Sequence, residues 1–446
     1  MSVIVGGKAV GPESGSAAPT SSYSAAYTGY ITFILALVFM LAATDRNIMS
    51  ILLVPMQDEL KVSDTAMGAL TGAAFALVYA TAALPLARLA DRGNRRNLIA
   101  VAVGFWSAMT AVCGLATSYM TLLVARMGVA AGEAAHQPAI MSMVGDLYPR
   151  HRRGIAIGCI MIGSSIGIAL GAYIAGLMSD LYGWRTAFFV MGLPGLLVAV
   201  LVVLTLPEPK RGVYDGGATM DPAHASILGS IRYLAAIPTV RRLLLAKLLQ
   251  QTGTQGFLAW TPAFFMRVHD MSTTQMSAMF GMSLGFGAVV SQLVGGFASD
   301  WLSKRGERWR AYYCAISLVV GTPFLMMVIF GSIPVATIGM FGIAVVTGGV
   351  MNTSVAAGLN VVRSSMRGFM TAAMIFCISV IGGGVGPVVL GALNDSLKGT
   401  FGHESLRYTL IFVPVASLLA SVVFWFAGRT TERDIAAVDA TTQPAT

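Results

Sequence analysis

"PLARLADRGNRRN" (Pro85–Asn97) and "GGFASDWLSKRGERWR" (Gly295–Arg310) say nearly the same thing twice, half a chain apart. Each closes an apolar run with an acid, Asp91 or Asp300, and follows it with bases and a glycine. A second echo runs between "RHRRGIAIG" (Arg150–Gly158) and "SSMRGFMTA" (Ser364–Ala372), so that Arg153-Gly154 and Arg367-Gly368 hold matching places. Repetition at this spacing marks two homologous halves. In a membrane chain, such halves are related by a pseudo-two-fold axis and enclose a site between them near mid-membrane.

The composition says that this is a membrane chain. Of 446 residues, 56% are hydrophobic and 11% charged, with mean hydropathy +0.74, more apolar surface than a soluble domain of this size can hide. Twelve runs approach the roughly 20 residues that a bilayer-crossing helix needs: 29–56, 64–87, 97–117, 119–147, 153–179, 184–206, 243–266, 273–302, 310–331, 333–361, 368–394 and 405–428. Long, Gly-rich apolar runs favour helices over a barrel, whose strands alternate in polarity. The expected fold is an all-α membrane protein of twelve transmembrane helices in two pseudo-symmetric six-helix bundles, 29–206 and 243–430. The polar stretch from Pro207 to Val240, with its "YDGGATMDP" turn cluster, is the expected linker (207–242). Residues 1–28 are expected as a disordered tail rather than a signal peptide, and 431–446 as a second tail.

Most of the 29 Lys and Arg fall in loops on one side, among them Arg88, Arg92, Arg95, Arg96, Arg152, Arg153, Arg241, Lys304 and Arg310. Lys61, Arg185, Arg267, Lys398 and Arg407 lie opposite. The positive-inside rule then places both termini in the cytoplasm of a bacterial inner (plasma) membrane. The +9 formal charge therefore reflects topology, not nucleic acid. Cys113, Cys159, Cys314 and Cys377 show no metal-ligand or disulfide spacing and read as packing residues. No cofactor or metal is expected.

The loop of Asp91, Arg92, Gly93, Arg95 and Arg96, with its weaker copy at Asp300, Lys304, Arg305 and Gly306, resembles the loop motif of the major facilitator superfamily; Pro85 stands where that motif begins with Gly. "TDRNIMSILLVPMQDEL" in the first span and "ARMGVAAGEAAHQPAIMSMVGDLYPRHRRG" in the fourth resemble the spinster family within it. That resemblance implies export of lysolipid or sphingosine phosphate, often with proton coupling. It also implies that Asp91, Arg92, Arg95 and Asp300 form a gate at the basic face, the first copy favouring the state open to the other side. Gly163, Gly167 and Gly171, and Gly382, Gly386, Pro387 and Gly391, resemble the superfamily's antiport motif.

Inside the spans, an unpaired ion costs several kcal/mol. Only Asp45 and Glu133 are acids well within apolar runs, and Arg46 and Arg126 are their basic counterparts. Arg126 and Glu133, seven apart, share a helix face, with His136 a turn further on. Asp45 and Arg46 diverge by about 100° and must meet different partners. The expectation is that Arg46 and Arg126 seat an anionic head group, because guanidinium gives an anion two parallel hydrogen bonds. Asp45 and Glu133 would balance the arginines and carry protons; a static salt-bridge lattice is the bland alternative. His136 is a third proton-carrying candidate and equally a plain hydrogen-bond partner. Gln251, Thr254, Gln255, Trp260, Asn352 and Asn360 are candidate substrate contacts or interhelical hydrogen bonds. Lys247 is expected to snorkel to the head groups.

No GxxxxGK[ST] loop supplies an ATP engine, and no nucleophile or metal arrangement suggests an enzyme. The expected function is a proton-coupled secondary transporter, monomeric and lipid-embedded, of an amphipathic, anionic, lipid-like molecule. The alternative is a general proton-coupled drug or organic-anion exporter; an intramembrane enzyme or a receptor is the remote reading.

Overall fold

A computed structural model describes residues 23–211 and 227–440. The expected N-terminal tail lies outside the described residues through position 22, as do 212–226 of the linker and the final 441–446. Among the described residues twelve helical spans follow in order. They are α1 (Ala25–Ile51), α2 (Asp64–Arg92), α3 (Arg95–Cys113), α4 (Tyr119–Glu133 and His136–Leu147), α5 (Arg150–Ile166 continuing to Ala172–Tyr182) and α6 (Trp184–Thr205), then α7 (Pro238–Val268), α8 (Thr273–Ser303), α9 (Arg308–Phe330), α10 (Ile333–Asn360), α11 (Arg367–Phe376 continuing to Gly383–Phe401) and α12 (Phe412–Ala440). Eight described stretches are apolar and long enough to cross a membrane, the last holding both α11 and α12; α4, α7 and α8 complete the twelve. The entry signals are local. Ser24, Ser63, Asn94, Ser118 and Ser272 each accept a backbone N–H of the first turn, and Ser118 and Ser272 do so in capping boxes.

The ends differ from expectation where polar residues found partners. α12 runs on to Ala440 because Asp434 accepts from Thr239 N at 2.9 Å and Thr239 Oγ1 at 2.7 Å, so 431–440 is packed helix rather than tail. Residues 207–211 dock on the first lobe: Glu208 and the Pro209 carbonyl bind Arg95, and Arg211 donates to the carbonyls of Ala90, Asp91 and Gly93.

The glycine rows work mainly within lobes. A β-carbon on Gly163, Gly167 or Gly171 of α5 would come within 2.3, 2.2 and 2.3 Å of atoms of Ala36, Met40 and Thr44 on α1. On the second lobe Gly382 and Gly386 of α11 hold the same relation to Gln251 and Thr252 of α7. Gly167→Val should therefore destabilise the protein by roughly 3 kcal/mol, since backbone cannot yield as a side chain can. Thermal unfolding in detergent checks it, with Gly158→Ala, which meets nothing within 4 Å, as the unshifted control.

Contacts between lobes draw on Gly391 of the α11 row, whose β-carbon would come within 2.4 Å of the Asp64 carbonyl, and on further glycines. Gly68 and Gly72 of α2 press on the backbone of Pro387 and Gly383 of α11, and Gly281 of α8 on Ala169 of α5. Two carboxylates repeat one device at pseudo-equivalent places. Asp395, near the end of α11, accepts from Thr65 N (2.8 Å) and Thr65 Oγ1 (2.6 Å) at the start of α2; Asp180, near the end of α5, accepts from Thr274 N (2.8 Å) and Thr274 Oγ1 (2.7 Å) at the start of α8. A carboxylate at a helix N-terminus satisfies orphan donors and opposes the helix dipole. Both clasps lie at the face opposite the basic loops. The apolar core is continuous across the lobes there, through Trp260, Phe264 and Leu390, while a separate core of Val240, Leu243, Val350 and Phe424 stays inside the second lobe.

Candidate functional site

Between the lobes, behind that seam, lies a cavity of about 460 Å³. Its two walls differ in chemistry. The first lobe contributes Arg46, Asn47 and Ser50 of α1, Thr71, Phe75 and Tyr79 of α2, and Arg126 of α4. The second contributes chiefly aliphatic surface, with Leu258, Leu318, Leu325, Ile343 and Val413, interrupted by Thr254, Gln255, Thr347, Ser379 and Ser417. Three helices bordering the cavity carry a π turn, at Ala69–Ala73, Gly167–Gly171 and Cys377–Gly382, and each lends it a residue: Thr71, Ile168 and Ser379. Such turns redirect side chains and concentrate at functional sites.

The intramembrane charges converge here. Arg46 Nε donates to Glu133 Oε2 at 2.7 Å; the Arg46 side chain is 43% exposed to the cavity and Glu133 fully buried. Arg126 Nη1 donates to the backbone carbonyl of Asp45 at 2.9 Å, so Asp45 meets Arg126 through its main chain while its carboxylate turns toward Thr110 and Trp106. Consecutive Asp45 and Arg46 do take different partners, as their divergence requires. Both guanidiniums lie over aromatic faces: Arg126 Cζ is 4.6 Å from the Phe75 centroid and Arg46 Cζ 5.3 Å from that of Tyr79. Asp45 Oδ1, Glu133 Oε1 and Arg126 Nε are buried without a hydrogen-bond partner. The arginines thus form the cavity surface and the acids stand behind them.

A break in α4 creates this arrangement. Pro138 lacks the N–H that Ala134 O would accept, and its ring crowds that carbonyl; the helix yields at Ala134–Ala135. His136 Nδ1 sits 2.5 Å from the Glu133 carbonyl oxygen at this break, between the rings of Phe39 and Trp106. It is 2% exposed and backs Glu133 rather than facing the cavity.

Thr254 and Gln255, two of the candidate substrate contacts, line the cavity. Four other candidates do not. Trp260 Nε1 donates to Pro387 O (2.8 Å), tying α7 to α11; Gln251 packs on Gly382; Asn360 donates to Glu307 Oε2 (2.7 Å) at the end of α10; and Asn352 is exposed away from the cavity lining. Their polarity was legible in sequence, but the direction each side chain takes depends on helix rotation. Lys247 does not snorkel; it is fully buried.

Of the expected gate, Arg95 is buried in its own lobe, held by Asp146, Glu208 and Ser142. Asp91 and Arg92 are exposed. The Asp300 side chain lies outside what is described. The sequence reading missed the opposite seal. Fully buried Asp64 accepts from Arg267 (3.0 Å), Lys398 (2.6 Å), Gln57 (2.8 Å) and Asn394 (2.5 Å), four donors of which three belong to the other lobe. Its place at a span boundary was visible, its partners were not. Among the described residues no three of His, Cys, Asp and Glu gather as metal ligands would.

The model of the family described as Major Facilitator Superfamily matches residues 35–387. The chain is 28% identical over 90% of its length to an MFS-type efflux pump of Mycolicibacterium smegmatis, covering 93% of that protein. It is 24% identical over 85% of its length to the sphingosine-1-phosphate transporter SPNS2 of Danio rerio, covering 80% of it. A crystal structure of a bacterial homologue of the human lysosomal transporter Spinster, inward-facing and unoccupied, superposes with TM-score 0.83 at 27% identity, covering 92% of this chain and 99% of that one.

Proposed function

From the chain's membership of the major facilitator superfamily, a family of transporters and not enzymes, we propose that it is a proton-coupled carrier of an amphipathic, anionic, lipid-like molecule, working by alternating access. One observation carries the reading: the cavity sets two guanidiniums, Arg46 and Arg126, against an aliphatic wall. A phosphate or carboxylate head fits the first and an acyl chain the second. The relatives support it, since one is named as a sphingosine-1-phosphate transporter. With the seam closed at the Asp64 face, this is the state open toward the basic loops, which the positive-inside rule assigns to the cytoplasm. Arg46 exchanges Glu133 for the incoming anion, and the released carboxylate takes a proton; the carboxylate of Asp45, behind Arg126, is the second acid of the pair. Asp91, Arg92, Arg95 and Asp300 close the basic face in the opposite state.

Proteoliposomes offered lysophosphatidate, sphingosine phosphate, zwitterionic lysophosphatidylcholine and a cationic apolar drug, with and without a pH gradient, test the proposal. Anionic lipids should accumulate with the gradient. Transport of the drug alone would establish the general exporter instead, as the name of the mycobacterial relative suggests. Arg126→Lys keeps the charge but loses the flat fork over Phe75 and should weaken apparent affinity for the anionic lipid about tenfold; an unchanged KM would remove Arg126 from the head-group site.

A further inference from the structure

Lys247 sits roughly two and a half turns into α7, 0% exposed, in the core of the second lobe. Its Nζ donates to Gln250 Oε1 at 3.0 Å, and Gln250 Nε2 donates to Thr254 Oγ1 at 3.0 Å. Thr254 lines the cavity, so a short polar thread joins the buried amine to it. No carboxylate forms an ion pair with Lys247 among the described residues. The titratable groups that act on it are two thiols, Cys314 of α9 and Cys377 of α11. The other charges on the helices around it are engaged elsewhere: Arg433 and Asp434 of α12 gather near Thr239, Glu307 and Arg310 at the start of α9 bind each other, and Arg367 of α11 is exposed.

An ammonium in this position would need three acceptors and a counter-ion, and it finds one amide oxygen. A neutral amine donates to Gln250 and keeps its lone pair. The neighbouring stretch of α11 is the π turn Cys377–Gly382, which packs on α7 where Gly382 meets Gln251 and lends Ser379 to the cavity wall. A π turn is one residue from regular helix and can shift without breaking the span.

We propose that Lys247 rests as a neutral amine and is a second proton-carrying group of the transport cycle, in the lobe opposite Glu133, loaded from the cavity when α11 moves at its π turn. In the loading step a hydronium admitted along the Gln250–Thr254 edge gives its proton to Nζ: an N–H bond forms, an O–H bond breaks, and water remains. Release reverses it. This inference rests on the proton-coupled reading above, but it concerns a different lobe and a group that does not touch substrate.

The test uses the full-length protein. Carbon-13 NMR of ε-labelled lysine in nanodiscs, with the Lys247 signal assigned by its loss in Lys247→Met, should show a neutral amine at neutral pH that becomes charged in acid. Lys247→Met is close in size and removes no ion pair, so it should fold. In proteoliposomes loaded with lysophosphatidate it should lose about tenfold in gradient-driven accumulation while counterflow without a gradient stays within about twofold. A Lys247 that is an ammonium throughout, or a Lys247→Met protein that accumulates like wild type, overturns the proposal. If the wild-type protein itself ignores the pH gradient, it is the coupling reading of Asp45 and Glu133 that fails first.

Discussion

Glu133→Gln should abolish accumulation of the anionic lipid against its gradient, by about a hundredfold, while leaving exchange of lipid for lipid largely intact. The amide has the carboxylate's shape, so it still fills the fully buried space behind Arg46. It carries no charge and takes up no proton. Arg46 loses its counter-ion, but its side chain is 43% exposed to the cavity and water there solvates the guanidinium, so the protein should remain folded. The variant separates binding from coupling, because the proposed anion seat, Arg46 and Arg126, is left in place. Parallel measurement of pH-driven uptake and of counterflow in proteoliposomes decides it. Equal loss of both would make the Arg46–Glu133 pair a structural lattice, and loss of neither would remove Glu133 from the cycle. Asp45→Asn serves as the companion, since the Asp45 carbonyl that holds Arg126 survives the change.

Asp64→Asn should open the other end. In the wild type one carboxylate neutralises Arg267 and Lys398 of the second lobe and accepts from Gln57 and Asn394. The asparagine takes the neutralising charge of the first lobe away from two cations of the second and adds donors where donors already crowd. Breaking a fully buried pair costs 3–5 kcal/mol. Lys398 is 45% exposed, so screening reduces the effect to roughly 2 kcal/mol, a shift of about thirtyfold toward the state open at this face. Spin-label distances between the ends of α2 and α11 at this face should lengthen, and a cysteine introduced at Ser50 on the cavity wall should become reachable by an impermeant reagent from that side. Unchanged distances would show that the Asp395 and Asp180 clasps alone hold the seam. The carboxyl-terminal ends of α5 and α11 would then be the elements to test, one clasp at a time.

These two acids contrast in what a sequence can reveal. Glu133 announces itself because a carboxylate in an apolar run is costly and therefore conspicuous. Asp64 stands at the start of α2, where an acid favours the helix N-terminus by itself, and nothing local separates such a residue from a lock between lobes. Lys247 makes the same point from the other side: a long cationic side chain near a span end is expected to reach the head groups, yet the packing of α7 turns it inward. Among the amides and aromatics, Thr254 and Gln255 reach the cavity while Gln251 and Trp260, on the same helix, join α7 to α11. A few tens of degrees about the helix axis sort them, and how a helix is turned is not written in composition.

The chain alone determined that it crosses the membrane twelve times in two related halves and that Arg46, Arg126, Asp45 and Glu133 lie at membrane depth. It could do so because hydropathy, the placement of charges and repeats can be read along the sequence itself. Tertiary structure alone decided that Glu133 takes Arg46, that Arg126 holds the Asp45 carbonyl and that Asp64 gathers donors from both lobes. Those pairings join residues far apart in sequence, and they depend on a kink at Pro138, on glycine-set distances between helices and on how each helix is turned about its axis.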